Sequence, residues 1–300
     1  MATQPPDYSG QVPALKEKFN EQFAESIKDG TFDSRDVEVY NKNDTYFKNF
    51  LRSNSGKEPE TLTHIERVLK WRKEYGVNDL TREGISKEVW DRDGLVYKGK
   101  DKEGHKILHF TVAKHKKDSK LDEDVKKMIA FQFNEHYKEF PGEKIIVIFD
   151  FYEAGISNMD LDITKFIISC VTDYYPGILA YILNYEMPFL LNAIWKVIKG
   201  WLSKEQNDYV KMVKKKDISI YLDEENQSPH MKEVAAIDCL QLLTLQRLTV
   251  GRQAGRQAGR QAGRQAGRQA GRQAGRQTDR QTDRQTDSFS IFPIHRMAYS

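Results

Sequence analysis

The feature that most constrains the fold is the unbroken apolar run at residues 145–149, which ends at Asp150. An apolar run without polar alternation predicts a strand buried on both faces, as in the middle of a parallel sheet. Residues 160–174 carry their apolar side chains mostly on one side, which predicts a helix that Pro176 ends. Residues 178–185 then predict a second strand. Strand, helix and strand in this order predict a βαβ unit with parallel strands.

A further predicted helix follows at residues 188–202, PFLLNAIWKVIKGWL, with Pro188 at its first position. Most of its residues are apolar, and its polar residues recur at spacings of four, three and four: Asn192, Lys196, Lys199 and Ser203. One interpretation is a helix buried in the core. The other is a mobile helix that covers an apolar cavity and contacts a membrane when it opens. Its two Trp residues and its lysines favour the second interpretation.

Three features in fixed order resemble the CRAL-TRIO lipid-binding family. They are the Tyr-Tyr-Pro turn at residues 174–176, the strand that ends in Asn-Tyr-Glu-Met-Pro at residues 184–188, and the Trp-rich helix at residues 188–202. The resemblance covers about residues 15–231. It implies an α/β fold, in which an N-terminal three-helix region precedes a mixed, mostly parallel five-stranded sheet with helices. It also implies a non-catalytic module that binds or transfers a hydrophobic lipid, with residues 188–202 as a mobile gate segment.

Four other stretches, at residues 32–44, 71–80, 101–106 and 228–231, resemble one branch of this family. In that branch a linker, a major-sperm-protein domain and a C-terminal membrane anchor follow the lipid-binding domain. We expect none of these segments in this chain, so the resemblance assigns it no protein partner. It implies a cytoplasmic protein peripheral to endomembranes, at the endoplasmic reticulum if a longer form carries the anchor.

The predicted pocket lies between the sheet and the gate segment, and by the resemblance it holds the chains of the lipid. Its predicted residues are Phe110, Val112, Val147, Phe149, Ile182, Asn184, Phe189, Leu191, Ile194, Trp195, Ile198, Trp201 and Leu202. In family members that bind phosphatidylinositol, Glu-Arg follows the Tyr-Tyr-Pro turn and a lysine lies in the helix after the gate. The matching positions here are Gly177-Ile178 and about Tyr209, which departs from that pattern.

A second predicted surface is a set of lysines that would meet anionic lipid headgroups, each contributing about 1 kcal/mol near such a membrane. The alternative is an ordinary solvated face. These residues are Lys196, Lys199, Lys211, Lys214, Lys215 and Lys216.

Four regions are predicted along the chain: disordered residues 1–14, an N-terminal helical region at 15–82, the lipid-binding domain at 83–231 and a low-complexity tail at 232–300. Apolar residues at helical spacing predict the helices of the second region. Within the third region we expect strands at residues 95–97, 106–114 and 218–222, and further helices at residues 121–137 and 205–213.

Several motifs invite a catalytic or metal-binding interpretation that their details oppose. Residues 94–101 approach a phosphate-binding loop, but Asp101 stands where a metal-binding hydroxyl is needed. On one strand His105 and His109 would lie about 13 Å apart, too far for one zinc ion. No nucleophile, base and orienting group accompany Asp150, which is better interpreted as a cap of the segment that follows it. We therefore expect no enzyme, no metal and no cofactor. The competing hypothesis is an interaction scaffold whose cavity is filled by side chains.

Charge and cysteine content favour a reduced intracellular protein without a nucleic-acid surface. The net charge of +3 hides an uneven distribution, because residues 251–300 hold ten Arg and three Asp and leave residues 1–250 at −4. Cys170 and Cys239 lie in apolar sequence, as expected of reduced thiols. The N-terminus has no apolar core of a secretory signal. Polar residues interrupt 234–250, so we predict no membrane span.

The tail is a repeat of a different kind. From Gly251 the unit Gly-Arg-Gln-Ala occurs six times, and Arg-Gln-Thr-Asp follows from Arg276. A four-base repeat read in triplets produces such units, since twelve bases restore the frame, so the tail is interpreted as translated repeat DNA or an unusual splice form. A segment without apolar residues cannot fold. RNA contact through its arginines is the weaker alternative, because no aromatic residues are interleaved.

Overall fold

The computed structural model describes residues 6–232. Its N-terminal part contains five α-helices, where the resemblance implies three. Asp33 caps α3 by accepting the N–H of Arg35, and Asn43 caps α4 by accepting the N–H of Thr45. These helices are α1 (Val12–Gln22), α2 (Ala24–Lys28), α3 (Ser34–Lys42), α4 (Asp44–Ser53) and α5 (Glu58–Tyr75).

A five-stranded sheet follows, with its strands in sequential order. The first strand is antiparallel to the second, and the other pairs are parallel, which confirms the predicted mixed, mostly parallel sheet. The strands are β1 (Leu95–Lys100), β2 (Lys106–Thr111), β3 (Ile145–Asp150), β4 (Leu179–Tyr185) and β5 (Val210–Val213). The helices around them are α6 (Lys87–Asp91), α7 (Asp122–Glu139), α8 (Leu161–Ser169), α9 (Asn192–Lys199) and α10 (Lys204–Asp208).

The predicted helix at residues 205–213 and the predicted strand at 218–222 are wrong. Ser203 and Gln206 form a capping box that starts α10, but this helix ends at Asp208. The next residues form β5, because Val210 pairs with Ile182 of β4. Residues 215–220 form a 3₁₀ helix in place of the last strand. The conformation of residues 210–213 is thus determined by pairing with β4, which lies earlier in the chain, and not by their local sequence.

The two faces of the sheet pack against different parts of the chain. One face, which we call the cavity face, packs against α7 and α8; the 3₁₀ segments between Lys215 and Met231 cover the other. Because side chains alternate along a strand, neighbouring residues serve different faces. The cavity face carries Leu108, Val147 and Ile182, and the opposite face carries Ile107, Ile146, Ile148, Leu183 and Tyr185.

The N-terminal helices and the sheet share a hydrophobic core. Phe19, Phe47 and Phe50 from the helices belong to the same buried cluster as Ile145 and Ile182 from the strands. The described residues accordingly fall within one compact unit. The predicted boundaries at residues 14 and 82 stay predictions.

Residues 1–5 and 233–300 are outside the described part of the chain. What we predict for the tail, for Cys239 and for the apolar stretch at residues 234–250 therefore stays a prediction. Of the predicted tail, the structure describes its first residue, Lys232. Among residues 6–232, no helix combines the length and apolar character needed to cross a bilayer.

Candidate functional site

A cavity of about 560 Å³ opens on the cavity face of the sheet, beneath the gate segment. In the structure this segment consists of a 3₁₀ turn, Phe189–Leu191, followed by α9. The cavity wall combines Phe149 and Ile182 from the sheet with Ile163 and Ile168 of α8. This part of its boundary is formed by the predicted βαβ unit and the gate segment that follows it.

Most of the predicted pocket residues line this cavity. Two of the others face solvent to different extents: Phe189 is 88% exposed and Trp201 is 38% exposed. Val147 lies in the core under α7 and α8, and Ile194 packs beside the cavity against a separate small cluster. The predicted residues that line the cavity are Phe110, Val112, Phe149, Ile182, Asn184, Leu191, Trp195, Ile198 and Leu202.

The gate segment has an inner apolar face and an outer apolar face. Leu191 and Ile198 are buried and, with Trp195 and Leu202, line the cavity. Their spacings of four, three and four residues place them on one side of a helix. The outer residues Phe189, Leu190, Val197 and Trp201 are exposed, beside the exposed lysines Lys196 and Lys199.

The start of the gate segment packs against the loop between β3 and α8. Leu191 joins Val112, Phe151 and Ala154 in a small buried cluster, which we call the latch cluster. Ile194 and Met187 pack against it from the gate side. This cluster is distinct from the main core.

The other lysines of the predicted membrane surface lie in the edge strand β5, as Lys211 does, or directly after it. Lys214 and Lys216 are exposed, and Lys211 and Lys215 are partly buried. Lys214 Nζ lies 3.3 Å from Glu186 Oε2, just before the gate segment. Because β4 and β5 are parallel, both the gate segment and residues 214–216 begin at the carboxyl edge of the sheet.

At the amino edge of the sheet, the cavity is lined by polar residues that were not predicted from the sequence. Arg52, Ser53 and Asn49 reach the cavity from α4, and Lys144 precedes β3. Nothing in the local sequence marks these residues, because the N-terminal helices meet the sheet only in the folded chain. Gly177 and Tyr209, where phosphatidylinositol-binding members carry charges, also line the cavity.

A buried polar pair lies in the cavity wall. His115 Nε2 is 3.5 Å from Asp160 Oδ2, and both side chains are almost completely buried. Asp160 caps α8 by accepting the N–H groups of Asp162 and Ile163. Burial alone would raise the pKa of Asp160, but the Ile163 N–H and His115 lower it. This carboxylate therefore stays ionised and serves the start of α8.

Asp150 lies at the end of β3, on the face of the sheet opposite the cavity. Its Oδ1 accepts the N–H of Tyr152, as in the predicted cap. Its Oδ2 lies 3.0 Å from His109 Nε2 and 2.8 Å from His230 Nε2. In residues 6–232, no group of three or more His, Cys, Asp or Glu side chains is arranged to hold a metal ion. Asp150 therefore connects the sheet to the last described segment.

Comparison with known proteins assigns this fold to a family. Residues 92–230 match the profile of the CRAL/TRIO domain. This part of the chain is a CRAL/TRIO domain. It contains all five strands and the gate segment, and the N-terminal helices α1 to α6 precede it. The narrower resemblance to motile sperm domain-containing protein 2 stays a prediction.

The CRAL/TRIO domain has distant relatives in fungi and plants. Similarity to a CRAL-TRIO domain-containing protein of Schizosaccharomyces pombe is 27% identity over 131 residues, or 43% of this chain and 30% of that protein. The phosphatidylinositol transfer protein CSR1 of Eremothecium gossypii is 26% identical over 154 residues, covering 50% and 33%. Patellin-6 of Arabidopsis thaliana is 23% identical over 177 residues, covering 54% and 43%. The chain thus spans less than half the length of each relative.

A solved structure shares the fold. The crystal structure of Sfh5 superimposes with a TM-score of 0.57 at 14% sequence identity, covering 82% of this chain and all of that chain. At this identity the likeness describes the fold of the CRAL/TRIO domain and its N-terminal helices.

Proposed function

We propose that this chain binds or transfers a lipid whose chains occupy the cavity, without catalysing a reaction. The observation that carries the proposal is a cavity of about 560 Å³ beneath the gate segment, whose walls from the sheet and from the gate segment are largely apolar. Shielding some twenty methylenes at about 0.8 kcal/mol each gives an upper limit near 16 kcal/mol. That is about what the same methylenes would lose on leaving a bilayer for water, so exchange between bilayer and cavity can be nearly neutral if opening the gate costs little.

Membrane contact is the second part of the proposal. Phe189 and Leu190 are 88% and 53% exposed, and they begin the segment that covers the cavity. Insertion of these side chains into a bilayer would favour the open gate, because a membrane that binds one state shifts the equilibrium toward it. The chain would then act in the cytoplasm as a peripheral protein of endomembranes.

The lysines would add attraction to anionic lipids. Lys196 and Lys199 flank the exposed apolar residues of the gate segment, and Lys214 and Lys216 follow β5 at the same edge of the sheet. Screening shortens the electrostatic range from about 10 Å at 0.1 M salt to about 3 Å at 1 M. Binding to vesicles that contain phosphatidylserine should therefore weaken as salt increases.

The proposed class of lipid is inferred from the lining of the cavity, not from a site for a particular headgroup. The name of CSR1 assigns phosphatidylinositol transfer to that relative. In this chain the positions that carry charge in phosphatidylinositol-binding members hold Gly177, Ile178 and, for the lysine, about Tyr209. We therefore propose recognition mainly through the lipid chains.

Native mass spectrometry of the full chain from animal cells tests lipid binding. We expect a bound mass that denaturation releases and that lipid extraction identifies. Ile182→Trp should reduce this loading, because Ile182 lines the cavity and a larger side chain occupies the space of the ligand. Absence of lipid from the unmodified chain would instead favour an interaction scaffold.

Vesicle sedimentation tests the gate separately. Phe189→Asp with Leu190→Asp should weaken binding to phosphatidylcholine–phosphatidylserine vesicles at least tenfold, since burial of one such side chain contributes about 1.5–3 kcal/mol. Ile220→Asp is the matched control, because Ile220 is 65% exposed but lies outside the gate segment. Equal binding by all three proteins would rule out membrane contact through the gate.

A further inference from the structure

A second exposed apolar surface lies in the connection between β3 and α8. Ile156 is 64% exposed, and Leu161, the first residue of α8, is 39% exposed. We call this stretch, residues 155–161, the β3 turn. Large apolar side chains that a folded protein leaves in water at one place mark a surface for a partner or a membrane.

Asn158 gives the β3 turn a defined conformation. Its Oδ1 accepts the N–H of Gly155 at 2.9 Å. Its Nδ2 donates to the carbonyls of Ala113 and His115 at 3.1 Å and 2.9 Å, in the loop that follows β2. Three hydrogen bonds thus fix the turn in which Ile156 faces solvent, and they join it to the neighbouring loop.

The β3 turn and the gate segment both border the latch cluster. Ala154 and Leu191 are buried members of that cluster. Ile156 lies two residues after Ala154, and Phe189 lies two residues before Leu191. Because β3 and β4 are parallel, the two segments also begin at the same edge of the sheet. Their exposed apolar side chains therefore flank one buried cluster at the carboxyl edge.

Lysines lie at both ends of this edge. Residues 113–120 follow β2, which is parallel to β3, and contain four lysines and one aspartate. Lys116 and Lys117 of this loop are exposed, as are Lys214 and Lys216 beyond β5. Apolar side chains between lysines suit an anionic bilayer, whose hydrocarbon accepts the former and whose headgroups attract the latter.

We infer that the β3 turn is a second membrane anchor, which inserts Ile156 and Leu161 into an anionic bilayer beside the gate segment. The inference rests on the proposed membrane contact and extends it to an element attached to the sheet. Glu153 and Asp162 are exposed on either side of the turn. The turn therefore binds through its apolar side chains, and the lysines of the neighbouring loops supply the attraction to anionic lipids.

Sedimentation with phosphatidylcholine–phosphatidylserine vesicles tests this anchor. Ile156→Asp should weaken binding of the full chain about tenfold, because an inserted apolar side chain is replaced by a charged one. Ile156→Trp should bind at least as tightly as the unmodified chain, since Trp suits the membrane interface. Thermal unfolding of each variant establishes that it is folded before its binding is compared.

Ile220→Asp is the matched control. Ile220 is 65% exposed, nearly the same as Ile156. The carbonyl of the next residue, Tyr221, accepts the N–H of Lys102 in the turn before β2, so Ile220 lies at the amino edge of the sheet. This variant should bind vesicles as the unmodified chain does.

The outcomes separate this inference from the proposed contact of the gate. If Ile156→Asp binds as tightly as Ile220→Asp while Phe189→Asp with Leu190→Asp binds weakly, the gate contacts the membrane and the β3 turn does not. If the loss occurs only in Ile156→Asp, the turn is the anchor and the proposed gate contact fails. Absence of vesicle binding by the unmodified chain overturns both. Self-association that Ile156→Asp abolishes, without vesicle binding, would assign this surface to a second copy of the chain.

Discussion

Asp101 illustrates how one buried carboxylate can join several elements. It lies in the turn between β1 and β2, and its side chain is fully buried. It accepts hydrogen bonds from the His105 backbone at 2.7 Å, from His105 Nδ1 at 2.9 Å and from the Tyr181 hydroxyl of β4 at 2.6 Å. Burial alone would raise the pKa of Asp101, but Tyr181 and His105 lower it.

This lowered pKa makes the stability of the protein depend on acid pH. Asp101 ionises at about pH 4 when unfolded and at a lower pH when folded. Its contribution to the free energy of unfolding is therefore present above pH 4 and is lost as the pH falls through the folded pKa. We expect Asp101→Asn to lose less stability between pH 6 and pH 3 than the unmodified chain, as measured by urea unfolding at each pH.

Asp208→Asn is the control for this prediction, because Asp208 is an exposed carboxylate at the end of α10. Its variant should follow the same pH profile as the unmodified chain. Identical profiles for all three proteins would show that Asp101 does not contribute to acid unfolding.

Gly177 shows why a single position departs from the family pattern. Its φ is +81°, which glycine adopts at little cost. A Cβ at this position would lie 2.6 Å from Cγ of Asn49, so the side chain of α4 occupies the space. The glutamate of phosphatidylinositol-binding members would need both another backbone conformation and another neighbour.

At the scale of elements, the gate segment is fixed at its start by the latch cluster. Leu191 is 1% exposed there, whereas Phe189, two residues earlier, is 88% exposed. If the gate opens as a unit, removing side-chain volume at Leu191 destabilises the closed state rather than the whole fold. The two residues therefore form a matched pair for testing whether the gate moves independently.

We expect Leu191→Ala to increase hydrogen exchange at residues 189–199 and to speed lipid release, while the free energy of global unfolding changes little. A buried Leu→Ala substitution usually destabilises by about 2–5 kcal/mol, and here that loss would reduce the free energy that favours the closed gate over the open one. Phe189→Ala should leave exchange unchanged. Should Leu191→Ala lower global stability by the full amount without faster local exchange, the gate would be an integral part of the core.

The predictable elements were those whose pattern is long and local. The apolar run of β3, the amphipathic α8 and the proline before the gate segment each provide a signal within one stretch of sequence. Strand β5 has four residues and forms through pairing with β4, so its local sequence could not decide between helix and strand.

The cavity walls formed by the sheet and the gate segment could be predicted, because the spacing of apolar residues along a strand or a helix shows which side chains share a face. The helical spacing alone could not separate inner from outer residues at the ends of the gate segment. Phe189 and Trp201 were therefore predicted to line the pocket, but they are exposed. Arg52 and Lys144 could not be found, because they reach the cavity through contacts between distant parts of the chain.

At the scale of the whole molecule, a buried ion pair within the N-terminal helices is joined to the domain by a hydrogen bond from its arginine. Arg72 Nη2 of α5 lies 2.8 Å from Asp36 Oδ1 of α3, and both side chains are 2% exposed. The same Arg72 nitrogen donates to Asn134 Oδ1 of α7 at 2.9 Å. Since these elements also share a hydrophobic core, the described residues should unfold as one cooperative unit.

Removing one member of this pair should destabilise the whole unit, because the other charge stays buried without its counter-charge. We expect Asp36→Ala to lower the free energy of unfolding by about 3–5 kcal/mol in urea, with Trp fluorescence and circular dichroism changing together. Asp36→Leu combined with Arg72→Met should recover most of that loss, since apolar side chains can replace a buried pair. Asp44→Ala, which breaks the exposed pair with Lys16, should cost less than about 1 kcal/mol. Separate transitions for the two signals in Asp36→Ala would instead show that the N-terminal helices are an independent folding unit.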